Sequence, residues 1–101
     1  MNNGVVNGSV HIIETLQIGD LRTGERLFDE LEPLGIALNP AITVHLWREP
    51  TANGFLRRLQ FIADDALASG RPPVVHIEAH GSPAGLTTTS GECLSWWSTV
   101  F

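Results

Sequence analysis

The chain has 101 residues, 43% of them hydrophobic, with eleven acidic residues against six arginines and a net charge of −5. That length suits one small domain, and the acidic balance argues against a nucleic-acid or anionic-membrane partner. The single cysteine, Cys93, excludes an internal disulfide framework and fits a reducing, cytoplasmic setting. No apolar run approaches the ~18 residues of a membrane span, and no basic-then-apolar leader is expected.

Residues 1–9 are rich in Asn and Gly and are expected to form a flexible amino-terminal segment, with residues 10–101 as one unit. Val10–Thr15 predicts a first strand, and Ile18–Arg22 a loop. A helix follows, with Thr23 as its expected N-cap. Leu27, Phe28, Leu31 and Leu34 mark its buried stripe, and Pro33 and Gly35 its end. Ala41–Trp47, between Pro40 and Pro50, predicts a second strand. The second helix has the strongest periodicity. Thr51 caps it, and Phe55, Leu56, Leu59, Ile62, Ala63, Ala66 and Leu67 fall on one stripe. Gly70 suits the position just past its end.

Pro73–His80 predicts the third strand. Pro72 and Pro73 mark its start, and Val74, Val75 and Ile77 are β-branched. Apolar residues on both faces predict a strand covered on two sides. Gly81 and Ser82-Pro83 stop it. Leu86–Thr89 and Glu92–Leu94, flanking Ser90-Gly91, predict a hairpin. Ser95 is expected to cap a third helix beginning at Trp96-Trp97. The order β-α-β-α-β implies an α/β fold: a three-layer α/β/α sandwich around a mainly parallel sheet in the order 2-1-3. Nothing after the third strand is an evident partner for its free edge. The sheet is therefore expected to be incomplete, finished by a missing carboxyl-terminal half or a partner chain.

His80 ends the third strand at its carboxyl end, where open α/β sheets bind ligands. A histidine there can act as general base or acid near neutral pH. Gly81 beside it would let a substrate approach the backbone amide, which can stabilise an oxyanion. The plainer alternative is a strand-ending turn with an incidental histidine. Arg22 follows the first strand as His80 follows the third, so the two would rim one crevice. Its guanidinium could grip a substrate carboxylate, or be a solvated loop arginine. His76, Glu78 and His80 alternate and share one strand face, which leaves a metal site open as an alternative, with His11 or His45 as further ligands. Hydrogen bonding of His76 and Glu78 to their neighbours is the plainer reading. Cys93 reads as a small buried hydrophobe, and Trp96 and Trp97 as residues packing the hairpin on the sheet.

The segment HIEAHGSPAGLTTTSGECLSWW, residues 76–97, resembles the His-Gly region of bacterial caspase-like peptidases of the CHAT type. The upstream run IIETLQIGDLRTGERLFDEL, residues 12–31, is similar to that family's first strand, Arg-Thr-Gly loop and first helix. The resemblance implies the caspase-haemoglobinase fold and a cysteine peptidase acting on a peptide or protein substrate without a cofactor. It makes His80 the catalytic histidine, Gly81 the source of the oxyanion-hole amide, and Arg22 a substrate-binding residue. The family's nucleophilic cysteine follows the next core strand, and Cys93 does not match that position. The chain is thus expected to be an amino-terminal half, inactive alone. The alternative is a non-catalytic α/β interaction module.

Overall fold

In the computed structural model, residues 8–96 are described. They form β1 (Ser9–Thr15), α1 (Thr23–Ala37), β2 (Thr43–Arg48), α2 (Ala52–Ser69), β3 (Pro73–Ser82), β4 (Gly85–Thr87) and β5 (Cys93–Ser95). The strands make one sheet in the order β2-β1-β3-β4-β5. β1 pairs in parallel with β2 on one side and β3 on the other. β4 and β5 add an antiparallel hairpin. The α/β class and the 2-1-3 order of the parallel strands are as the sequence leads one to expect. Among the described residues no helix is long and apolar enough to cross a membrane.

Alternation along β1 sends its residues to two different helices. Ile13 faces α2 and packs with Phe55, Ile62, Leu86 and Leu94, rimmed by Trp47, Leu56, Leu59 and Ala79. Ile12 and Glu14 face α1, which approaches closely because it carries glycines there. A Cβ on Gly24 would stand 3.3 Å from Ile12 and 2.9 Å from Glu14, and one on Gly35 would run into the backbone of Ile42. The sheet is therefore the middle of three layers.

Helix α2 follows its local signals at both ends. The Thr51 hydroxyl accepts from Gly54 N at 3.1 Å, and Gly70, at φ 70°, caps the other end with its N–H on Ala66 O. Phe55 and Ile62 are buried, but Ala63 and Leu67 at the end of the stripe are exposed. Helix α1 does not follow its signals. Arg22, not Thr23, is its N-cap, without a side-chain cap bond. The Thr23 hydroxyl instead donates to Glu78 Oε2 at 2.8 Å. The helix also runs through Pro33 and Gly35 to Ala37. Proline removes one helical donor but its φ is helical, and Gly35 is held against Ile42 and Val44. Its carbonyl then accepts from both Leu38 N and Ile42 N, which turns the chain into β2. The expected leucine stripe is only half-buried, and Leu34 is 62% exposed.

The third strand departs most from expectation. It runs two residues further, to Ser82, and it is not covered on two sides: Val74, Val75 and Ile77 are 60%, 39% and 39% exposed. β1 takes one edge of β3 over Pro73–Ala79, while β4 takes the other edge only at His80–Ser82. Among the described residues, no strand lies on the outer edge of Pro73–Ala79. Cys93, expected in the interior, is exposed. The hairpin forms, turning at Gly91 with φ 89°, but its strands are Gly85–Thr87 and Cys93–Ser95, so Ser95, expected to cap a helix, ends β5 instead. Residues 1–7, within the expected flexible segment, and Trp97 onward, within the expected third helix, lie outside the described residues.

Candidate functional site

β1 and β3 are adjacent and parallel, but β1 leads to α1 and β2 on one side while β3 leads to the hairpin on the other. Loops that part in opposite directions open a crevice at the strands' carboxyl ends. Here it measures about 370 Å³ and is lined by Leu16, Asp20, Leu21, Thr23, Glu78, Ala79 and His80.

His80 is held by a carboxylate from the loop after β1. Its Nε2 lies 2.7 Å from Asp20 Oδ2, and the same oxygen accepts from Gln17 N at 2.8 Å. Desolvation pushes the Asp20 carboxyl up, but the bonds from Gln17 N–H and His80 outweigh it. With the charges of His80 and Arg22 adding to them, they hold its pKa below the usual value. An ionised carboxylate can only accept, so Nε2 carries a proton, and in the neutral ring the lone pair is on Nδ1. The loop is fixed in turn by the hairpin. Gln17 Nε2 donates to Thr88 O, and Thr15 Oγ1 accepts from Thr89 N at 3.0 Å. The His80 side chain remains 58% exposed. It is thus an oriented, accessible imidazole, able to take a proton on Nδ1 and return it.

Gly81 is exposed, and nothing in the described fold requires a glycine there. A Cβ would meet the Trp96 ring at 3.9 Å, an ordinary contact. Trp96 donates from Nε1 to Ser82 O and from its backbone N to Ala84 O, which lays the hairpin's end over Gly81.

Arg22 is turned elsewhere. Its Nη1 lies 3.3 Å from Glu14 Oε1, and it is not among the residues lining the crevice. Glu14, 2% exposed, also accepts from Arg48 Nε at 3.4 Å and from Glu25 N at 3.1 Å. A buried carboxylate needs this many donors to offset its desolvation. It pins the start of α1 to β1 and β2. Neither Glu14 nor Asp20 stands out in the sequence. The one signal for Asp20 was its place in the loop after a predicted strand of the parallel sheet.

The metal alternative does not form. His76, Glu78 and His80 do share a face, but His76 Nε2 bonds Glu78 Oε1 at 2.6 Å while His80 turns to Asp20. His11 and His45 project from the opposite face, since His76 stands in register with Ile12. Among the described residues, no three His, Cys, Asp or Glu side chains are grouped to hold a metal ion. The His76 bond, opposed by desolvation and joined by Thr23, sets the Glu78 pKa below its usual value. Cys93 shares a cross-strand row with His80, through Thr87. Two strand spacings, roughly 10 Å, separate their backbones.

No protein-family model matches the chain, and neither a characterised protein nor a solved structure is detectably similar to it.

Proposed function

We propose that this chain is the histidine-bearing part of a caspase-like cysteine peptidase domain of the CHAT type. The observation that carries the reading is the Asp20–His80 pair at the carboxyl ends of two adjacent parallel strands, open to a crevice. His80 would take the proton of a cysteine thiol through Nδ1 and return it to the leaving amine, with Asp20 fixing the tautomer. The Gly81 amide would face the tetrahedral oxyanion. Arg22, engaged by Glu14, would reach a substrate carboxylate only by leaving that ion pair. The nucleophile would come from a strand beside β3 that the described residues do not supply, since Cys93 is two strands away. The substrate would be a peptide or protein, with no nucleic acid, membrane or cofactor taking part.

The test is complementation. The isolated chain is expected to hydrolyse no peptide in a fluorogenic library. Co-expression with the segment encoded downstream of Phe101, or by an adjacent gene, should create hydrolysis that is lost in His80→Ala and in alanine replacement of a cysteine of that segment. Hydrolysis by the isolated chain that needs His80 but survives Cys93→Ala would refute the need for an outside cysteine. A second reading, a non-catalytic interaction module, is favoured by the bare edge of β3. It predicts that a partner binds with equal affinity in wild type and His80→Ala, with no hydrolysis in either.

A further inference from the structure

The sheet face away from this site carries a titratable group that the proposed chemistry does not use. His11 lies in the middle of β1, 3% exposed, in register with His45 of β2 and Val75 of β3. The His45 ring stacks on it at 4.8 Å and 13°. Trp47 continues the stack, 5.3 Å from His45 and 6.3 Å from His11. Helix α2 closes over it. The Arg58 guanidinium sits 3.8 Å from the Trp47 ring centre, and Phe61 meets that ring edge-on at 6.1 Å. Arg58 is itself held by Glu49 at 2.8 Å. One continuous stack therefore joins β1, β2 and α2.

The hydrogen bonding of this stack accommodates only the neutral imidazole. Trp47 Nε1 lies 3.0 Å from His11 Nδ1. An indole N–H donates and never accepts, so Nδ1 must hold the lone pair. The ring proton is then on Nε2, 3.1 Å from Ser9 Oγ. A second proton would land on Nδ1 and set donor against donor. Burial disfavours the charged ring first and His45 second; Asp65 on α2 favours it and Arg58 disfavours it, and the balance holds the His11 pKa below the ordinary 6.5.

We propose that the His11–His45–Trp47–Arg58 stack is an acid-sensitive latch, in which one proton taken up by His11 breaks its bond to Trp47 and releases α2 from the β1–β2 face. The start of α2 is tied to the hairpin through Ser90 N on Pro50 O and Ala52 N on Glu92 Oε1. That hairpin pairs with His80, so the latch adds pH control beyond the site chemistry proposed above. The sign follows from linkage. The unfolded chain takes up the His11 proton more readily than the folded one. The latch's stability is therefore complete above about pH 6.5 and is lost as the pH falls from there through the lowered folded value.

The experiment is a proton–nitrogen NMR titration of the whole chain from mildly alkaline to mildly acid pH. The Trp47 indole resonance is assigned by its absence in Trp47→Phe. The expected result is a His11 midpoint below that of an exposed histidine, with the Trp47 indole resonance lost in step with it. In Trp47→Phe, where no N–H opposes the second proton, the His11 midpoint should rise. His11→Gln should abolish the indole transition. Should that variant not fold, the Trp47→Phe comparison alone decides. A Trp47 indole signal that passes unchanged through the His11 midpoint, or a His11 midpoint unmoved in Trp47→Phe, overturns the latch.

Discussion

Gly24 and Gly81 look alike in the sequence but answer to different demands. Gly24 lies where a Cβ would stand 2.9 Å from Glu14 Oε2, and that carboxylate is clamped by Arg22, Arg48 and Glu25 N. The oxygen has nowhere to retreat without losing a donor. Gly24→Ala should therefore cost about 1–3 kcal/mol, the usual penalty of overpacking, measured by urea unfolding. Gly81→Ala meets an ordinary contact and should fall within about 0.5 kcal/mol of wild type. If the proposed oxyanion role holds, it will impair the complemented enzyme while leaving stability intact. His80 is a second contrast at this scale. It was legible because it closes the apolar run of β3, although the strand itself continues through Gly81 to Ser82. Its partner Asp20 was not, because the pair spans 60 positions and depends on the shape that Gln17 gives the loop. Asp20→Ala removes the acceptor that fixes the tautomer. Nitrogen-15 shifts of the neutral His80 ring should show the Nε2–H form in wild type and a mixture of tautomers in the variant. An identical tautomer in both would remove Asp20 from the proposed mechanism.

The helices show which signals survive folding. α2 was legible at both ends because its caps are local: Thr51 reaches an amide three residues on, and Gly70 adopts the left-handed conformation itself. In α1 the same kinds of signal lost to tertiary contacts. Thr23 is drawn to Glu78 across the crevice, and Gly35 stays helical because β2 packs against it. Loss of the Thr51 cap in Thr51→Ala should cost about 1 kcal/mol. The start of α2 has a second acceptor that no local rule supplies, Glu92 Oε1, 2.8 Å from Ala52 N. That bond, then the Ser90 hydroxyl, against desolvation, holds the Glu92 pKa below its usual value. A carboxylate with a depressed folded pKa stabilises above its unfolded pKa and loses that effect as the pH falls through the folded value. Glu92→Gln should accordingly lower Tm at neutral pH, and the gap to wild type should close as the solution is acidified. A gap independent of pH would mean that the Glu92 charge has no part in holding α2.

At the scale of the molecule, the same residues that predicted a buried β3 form a strand whose outer edge is bare over Pro73–Ala79 among the described residues. Two-sided apolar patterning was the right observation about the strand. Its burial was not legible, because covering β3 needs neighbours that the described chain does not place there. β4 reaches only His80–Ser82, which leaves Val74, Val75 and Ile77 exposed beside an unpaired edge. Proteins normally protect such edges with charge, proline or a covering segment. Here Pro73 guards the first position, and the apolar run that follows lacks a Lys or Arg. The isolated chain should therefore self-associate through β3, with sedimentation showing a mass that rises with concentration. Val75→Lys places a charge on that exposed strand and should return the chain to monomer. Because the Lys replaces a residue already 39% exposed, the change should leave Tm within a few degrees of wild type, about the spread of an ordinary surface substitution in a domain of this size. A partner strand that completes the sheet should have the same effect on association while raising Tm, since it buries what the lysine merely shields. A wild-type chain that stays monomeric at every concentration, with a high and cooperative melting transition, would mean that the edge needs no partner. The proposed supply of a cysteine through it would fall with that result.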